Sequence, residues 1–204
     1  MDREREPRGD VKKSMIHAAR ELFASKGYAE TSVQEIVEAA GVTKGAFYYY
    51  FSSKDEVLEL IHDEFLDYEI SLVEELEKYG GTAPERLGSL VRDLIRSIII
   101  YRENVRVFFQ EFDRLPEPRK AEIEKRRRVY QQHVEDIVRD GVRQGSFRSD
   151  LDPTVATLGI FGLANYTYRW IRSDGRLPAD AVIDMLAQMA VGAVKKPVAP
   201  PTEA

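Results

Sequence analysis

Residues Ser32 to Lys54 read SVQEIVEAAGVTKGAFYYYFSSK, and this stretch decides the fold. Val33, Ile36, Val37 and Ala40 recur at steps of three and four, which is one apolar face of a helix. Thr31 or Ser32 caps it, Gly41 supplies a left-handed position that ends it, and Val42 plugs the corner. Thr43 has the chemistry to cap a second helix. A glycine-containing tight turn between two short helices is the sequence form of a DNA-reading helix-turn-helix.

On the second helix, Phe47 and Phe51 are four apart and predict an anchor into a small core. Lys44, Gly45 and Tyr48 fall on the opposite side, with Tyr49 flanking and Tyr50 completing a run of three phenols. Three consecutive tyrosines cannot share one face of a helix, so at least one is exposed. Gly45 costs a helix about 1 kcal/mol against alanine, a cost that close approach to base edges would offset. Lys44 has the reach for guanine O6 and N7. The tyrosine hydroxyls suit phosphates, which set register rather than sequence. Ser53-Lys54-Asp55-Glu56 reads as a capping box opening a third helix, whose N-terminus with Lys54 is a natural phosphate site.

The segment resembles the DNA-binding domain of the TetR family of one-component bacterial regulators. The resemblance rests on Thr43-Lys44-Gly45-Ala46-Phe47-Tyr48-Tyr49-Tyr50-Phe51, then Ser53-Lys54-Asp55-Glu56. Upstream, Ile16-His-Ala-Ala-Arg-Glu-Leu-Phe23, Lys26-Gly27-Tyr28 and Thr31-Ser32-Val33 stand where the family has its first helix and exit. Tyr49 departs from the frequent histidine, and both bond a phosphate. The resemblance implies DNA contacts from Thr31, Ser32, Thr43, Lys44, Gly45, Tyr48, Tyr49, Tyr50 and Lys54.

The chain has 204 residues and no cysteine, which excludes disulfides and thiolate metal sites and fits a cytoplasmic protein. No apolar run approaches the roughly 20 residues that span a bilayer, so no membrane partner is expected. Met1 to Asp10 is charged and polar, unlike a signal peptide or an anchor. The formal net charge of −5 by itself argues against nucleic acid. Between residues 8 and 54, however, cations outnumber acids, and Arg8, Lys12, Lys13, Lys44 and Lys54 make a modest basic footprint.

Everything after Ser53 reads helical, without a useful strand pattern or repeat, so the expected fold is all-α. Helices are expected from Ser53 to about Tyr79, Ala83 to Tyr101, Glu103 to Arg114, Pro116 to Gln144, Asp152 to about Arg172, and Pro178 to about Lys195. The reading divides the chain into a three-helix DNA-binding domain, 8–54, and a larger helical ligand-binding and dimerisation domain, 55–196. The helix 53–79 links them, and 197–204 reads as a disordered tail.

The last two helices carry small residues, Thr157, Gly159, Gly162, Ala164 and Thr167 on one and Ala181, Ala187, Ala190, Gly192 and Ala193 on the other. The pattern fits a buried pair within one chain. The resemblance instead implies a four-helix homodimer interface, and a palindromic operator in double-stranded DNA needs such a symmetric reader.

The resemblance also implies a small-molecule effector and no other cofactor. Candidate contacts are Tyr101, Arg106, Phe108, Phe109, Phe112, Tyr130, His133, Ile137, Phe161, Tyr166 and Arg169. Val105 to Arg114 and Tyr166 to Trp170, above all the pair Arg169-Trp170, resemble a branch that controls fatty-acid and sterol degradation and binds acyl-CoA thioesters. Arg102, Arg106 and Arg169 sit amid aromatics and suit its phosphates; Arg126-Arg127-Arg128 is another option, although a run among lysines and glutamates reads more readily as a solvated face.

Three other readings compete. A helical scaffold with no DNA role would be indifferent to changes at Lys44 and Tyr48. A repressor of a drug-efflux gene would take hydrophobic cations against Glu111 or Asp113. A helical-bundle enzyme would use Glu59-Leu-Ile-His62, but a di-iron bundle needs that step twice and there is no second copy. No nucleotide loop or nucleophile elbow occurs, so neither catalytic nor metal-binding residues are assigned.

Overall fold

A computed structural model describes residues 8–76, 80–172 and 174–196. The expected tail 197–204 and the expected end of the linking helix at Tyr79 lie outside the described residues, as does the side chain of Arg8. The described residues form nine α-helices: α1 (Arg8–Lys26), α2 (Val33–Ala39), α3 (Lys44–Tyr50), α4 (Lys54–Leu76), α5 (Ala83–Ile100), α6 (Arg102–Glu111), α7 (Glu117–Arg143), α8 (Pro153–Asn165) and α9 (Ala179–Val194). Two 3₁₀ turns, Phe112–Arg114 and Tyr166–Arg169, extend α6 and α8. The all-α expectation holds, and among the described residues the only extended pairing is an isolated bridge between Phe147 and Lys195.

Local chemistry sets the element ends. Ser32, not Thr31, caps α2: its Oγ accepts from the Glu35 N–H at 3.2 Å while the Glu35 carboxylate accepts the Ser32 N–H at 2.8 Å. Lys26 and then the Ser32 donors hold the Glu35 carboxyl at about 2. Gly41 takes φ +67°, turning the chain, and Thr43 Oγ1 accepts from the Ala46 N–H to cap α3. The box expected at Ser53 is displaced. Ser53 Oγ accepts from the Glu56 N–H, but the Glu56 carboxylate reaches back to the N–H and Oγ of Ser52.

The helix expected to run to Arg172 ends at Asn165. The buried Thr167 hydroxyl donates to the Ala164 carbonyl at 2.6 Å, a local bond that competes with the α-helical ladder and tightens the chain into a 3₁₀ turn. Pro116 likewise stops the segment after α6, because proline bars helical geometry in the residue before it.

Packing groups the described residues into two compact units, one within 8–67 and 101–123, the other within 68–100 and 124–196. The line falls inside α4 and α7, and α6 groups with the N-terminal helices, a pairing of distant segments that no local sequence pattern announces. In the first unit Met15, Phe23, Ile36, Phe47, Phe51, Ile61 and Phe108 share one core. A polar network ties α1, α4 and α6 over it. Arg20 donates to Glu64 and to Asn104 Oδ1, both at 3.2 Å, and Asn104 Nδ2 donates to the Ile61 carbonyl at 3.1 Å.

In the second unit α5 buries Leu87, Leu90, Val91, Leu94, Ile95 and Ile98. Arg92 pairs with Asp184 at 2.7 Å, pinning α5 to α9. Gly141 on α7 is a packing glycine: a Cβ there would stand 2.1 Å from the buried Phe147 ring.

Candidate DNA-reading face and small-molecule cavity

The α3 helix separates its aromatics by face. Phe47 and Phe51 are buried with ring centroids 5.2 Å apart, while Tyr48 and Tyr49 are 59% and 73% exposed. Lys44 and Gly45 are exposed on the same helix. A Cβ on Gly45 would meet nothing closer than Thr43 Oγ1 at 3.8 Å, so no packing inside the chain requires glycine there. Lys13 is exposed, and half-buried Lys12 holds its ammonium 5.7 Å from the Phe51 ring centroid.

Four residues expected on this face are committed elsewhere or support it from behind. Thr31 is buried and its hydroxyl donates to the Gly27 carbonyl at 2.7 Å. Lys54 donates to the carbonyls of Tyr28 and Thr31, both at 2.7 Å, and stands 4.1 Å over the Tyr28 ring. Two of its three ammonium donors clamp the loop before α2, and burial pushes its pKa down. Tyr50 is half-buried against the core, edge-on to Tyr49 at 4.9 Å. The Ser32 hydroxyl donates to Glu35 as well as accepting from its N–H, so its one donor is spent within its own helix. Thr43 is exposed, and its cap uses only the acceptor side of the hydroxyl.

The second unit contains a cavity of about 540 Å³. Leu94 of α5 and Leu158, Phe161 and Gly162 of α8 supply its apolar wall. Glu124, Arg127, Arg128, Tyr130 and Gln131 of α7 face it, with Asn165 and Glu69. Tyr130 and Phe161 stack with centroids 5.5 Å apart and planes 19° from parallel. Glu69 is only 8% exposed, and burial pushes its carboxyl up to about 7 against the opposing pull of Arg127. Burial also holds the Tyr130 phenol well above its usual range, reinforced by Glu69 and Asp93.

Of the residues expected to meet a small molecule, the structure brings Tyr130 and Phe161 together in this cavity. His133 lies in an adjoining hollow of about 330 Å³ with Lys125, Arg128, Val129 and Gln132. Arg169 and Tyr166 lie on the exposed turn after α8. The Arg169 guanidinium donates to the Tyr168 hydroxyl at 3.1 Å and sits 5.7 Å from the rings of Tyr166 and Tyr168. Ile137 is plain core.

Tyr101, Arg106, Phe108, Phe109 and Phe112 belong to the first unit and do not line the cavity. There Arg106 pairs with Glu103 at 3.8 Å, and Phe108 packs 5.2 Å from both His62 and Phe112. Glu111 is spent on the Tyr28 N–H and Arg114, which removes it as an acid for a cationic ligand.

Sequence reading missed Glu69 and Asn165, and it held Arg127 and Arg128 as the lesser alternative to a solvated face, whereas both line the cavity, Arg127 half-buried and Arg128 exposed. A signal existed for Glu69. Leu58, Ile61, His62, Phe65 and Glu69 fall on one buried stripe of α4, so a carboxyl stands in register with apolar side chains.

Residues 15–61 match the family described as "Bacterial regulatory proteins, tetR family", and residues 80–194 match "Tetracyclin repressor-like, C-terminal domain". The chain belongs to the TetR family. Among curated relatives of this TetR chain, the HTH-type transcriptional repressor KstR2 of Mycobacterium tuberculosis is 27% identical over 183 residues, covering 89% of this chain and 92% of the relative. The structure of the ketosteroid transcriptional regulator KstR2 of Mycobacterium tuberculosis, 27% identical, superposes with a TM-score of 0.84 over 93% of this chain and 95% of that one. The Fatty acid metabolism regulator protein of Bacillus subtilis is 27% identical over 187 residues, 88% of this chain and 93% of the relative. AibR, solved with isovaleryl coenzyme A and operator DNA, is 26% identical with a TM-score of 0.77, over 92% of this chain and 100% of that one. This TetR chain is a DNA-binding transcriptional regulator and not an enzyme. No described helix is long and apolar enough to cross a membrane.

Proposed function

We propose that the protein is a cytoplasmic repressor that binds a palindromic operator as a homodimer and is released by an acyl-CoA thioester held in the cavity of its second unit. The observation that carries the DNA reading is Gly45. It costs the helix stability and no neighbour in the chain requires it, yet it lies on α3 with exposed Lys44, Tyr48 and Tyr49. A bare backbone between a lysine and two phenols fits close approach to a groove, with Lys44 for a guanine and the tyrosines for phosphates.

Dimerisation through α8 and α9 is supported by the side chains those helices leave bare. Val155, Leu158, Met185 and Met189 are 68%, 52%, 49% and 61% exposed, and Gly159, Gly162 and Gly192 face open space. Contiguous apolar surface of this kind marks a protein interface. The effector reading draws on AibR, solved with a CoA thioester and operator DNA, and on the lipid-related names of the other relatives. Within the chain it draws on an aromatic-walled cavity with Arg127 and Arg128 for phosphates.

The rival effector, a hydrophobic cation, is favoured by one observation, the acid Glu69 beside the stacked Tyr130 and Phe161. Titrating the protein on a labelled fragment of its own upstream DNA with CoA thioesters of graded length, read by fluorescence anisotropy, separates the two. Release by thioesters but not by free CoA or free fatty acids supports the proposal. Release by cationic dyes alone overturns its effector part and leaves the DNA reader standing.

A further inference from the structure

The Glu59-Leu-Ile-His62 step leaves a histidine that the DNA reader does not use. His62 of α4 is 1% exposed, inside the first unit. Its Nδ1 stands 2.7 Å from the Leu58 carbonyl, which can only accept. Nδ1 therefore carries the proton of the neutral ring, and Nε2 is a bare lone pair. Nε2 is buried and has no hydrogen-bond partner among the described residues. Toward α6 the ring meets Phe108, with centroids 5.2 Å apart. Phe108 shares its core with Phe47 of α3 and with Phe51.

The charges that act on the ring come from Asp63 on its own helix and from Arg119 of α7, while α6 presents the apolar Phe108. Arg119 pairs with Asp63 and lies 3.9 Å from Glu59, so the two acids beside His62 are already engaged with a cation. A second proton on the ring would place an imidazolium in a dry core, beside a guanidinium, with an N–H that finds no acceptor. Burial accordingly holds the His62 pKa below its usual 6.5, aided by Arg119 and opposed by the Leu58 bond and Asp63.

We propose that His62 makes operator binding acid-sensitive: when Nε2 takes a proton, the packing of α4 on α6 opens, the core behind α3 loosens, and the DNA-reading face loses its shape. The proposal deepens the DNA reading and needs no effector. Its sign is defined. The packed unit holds fewer protons than a loosened one, so its stability is complete above 6.5 and falls as pH drops below it. A switching protein keeps its states close in free energy, so a penalty on the binding-competent state appears as lost affinity. Exposed His17 of α1 works in the other direction, because a positive charge gained there favours DNA.

The test follows binding of the full chain to a labelled fragment of its own upstream DNA by fluorescence anisotropy, from about pH 8 to about pH 5.5 at constant ionic strength. Wild type is compared with His62→Asn, whose amide can keep the bond to the Leu58 carbonyl without titrating, and with His62→Leu. Thermal melts at the upper pH establish that each variant is folded. Wild type is expected to lose affinity on acidification, by at most about tenfold per pH unit below 6.5, while both variants hold theirs. Variants that lose affinity in parallel with wild type overturn the inference, as does a wild type whose affinity is constant or rises. A second measurement needs no change at His62: its Cε1 proton is followed by NMR, with His17→Gln and His133→Gln identifying the other two histidines. Charging of His62 while operator affinity holds overturns the inference. Absence of binding at every pH overturns the DNA reading along with it.

Discussion

Glu111, at the end of α6, accepts the backbone N–H of Tyr28 at 3.2 Å, across 83 residues of sequence. Its other oxygen pairs with Arg114 at 2.7 Å, and the carboxylate is nearly buried. The loop that feeds α2 is thus held from α6 by Glu111 and from α4 by Lys54. Replacing Glu111 with alanine strands a backbone donor. The expected loss is about 1–3 kcal/mol of unfolding free energy, read by urea denaturation, with Glu111→Gln retaining part of it.

Lys54 is expected to behave as a clamp. Lys54→Met removes two hydrogen bonds to carbonyls and a cation–π contact, so the melting temperature falls. The slope of log affinity against log salt stays close to wild type, because no phosphate contact is lost. Lys44→Met leaves the melt unchanged and relaxes the preference at one base pair by about 1–3 kcal/mol, read by competition among operator variants.

Gly45→Ala separates folding from function. The added methyl meets only Thr43 Oγ1 at 3.8 Å, and alanine is the better helix former by about 1 kcal/mol. The variant is expected to melt higher than wild type and to bind operator DNA more weakly. Gly141→Ala offers the contrast: its methyl would stand 2.1 Å from the Phe147 ring, and the melt drops.

Glu69 gives a pH signature of defined sign. Its folded pKa of about 7 lies above the unfolded value of 4.5, so the folded state holds a proton that the unfolded state releases. Stability therefore falls as pH rises from about 4.5 to about 7, by about 3 kcal/mol at most. Glu69→Gln removes this dependence. The variant is expected to be the more stable protein at pH 8 and to match wild type near pH 4.5, as measured by melts across that range.

The legible parts of the sequence were those whose physics is short-range. Ser32 with Glu35, Gly41, Thr43 and Asp152-Pro153 announce helix ends because a cap is satisfied within three or four residues of itself. The split of α3 into buried Phe47 and Phe51 and exposed Tyr48 and Tyr49 follows from helical periodicity alone. Of the cavity, Tyr130 and Phe161 were legible as aromatics, but Glu69 stands in register with the apolar stripe of α4, and periodicity alone does not separate a carboxyl that lines a cavity from one at the edge of a core.

What the sequence determined by itself was a nine-residue motif, Thr43 to Phe51, its helix-turn-helix setting and the all-α class, since each rests on local hydrogen bonding and on the 3.6-residue period. Tertiary structure alone decided that Lys54 is turned inward, that α6 belongs with the N-terminal helices, and that Glu69 meets Tyr130, Phe161 and Arg127 around one cavity. Those outcomes depend on which helix faces pack together. A burial stripe says that a face is covered, but the covering partner comes from a distant segment whose choice is made by side-chain shape and charge in three dimensions.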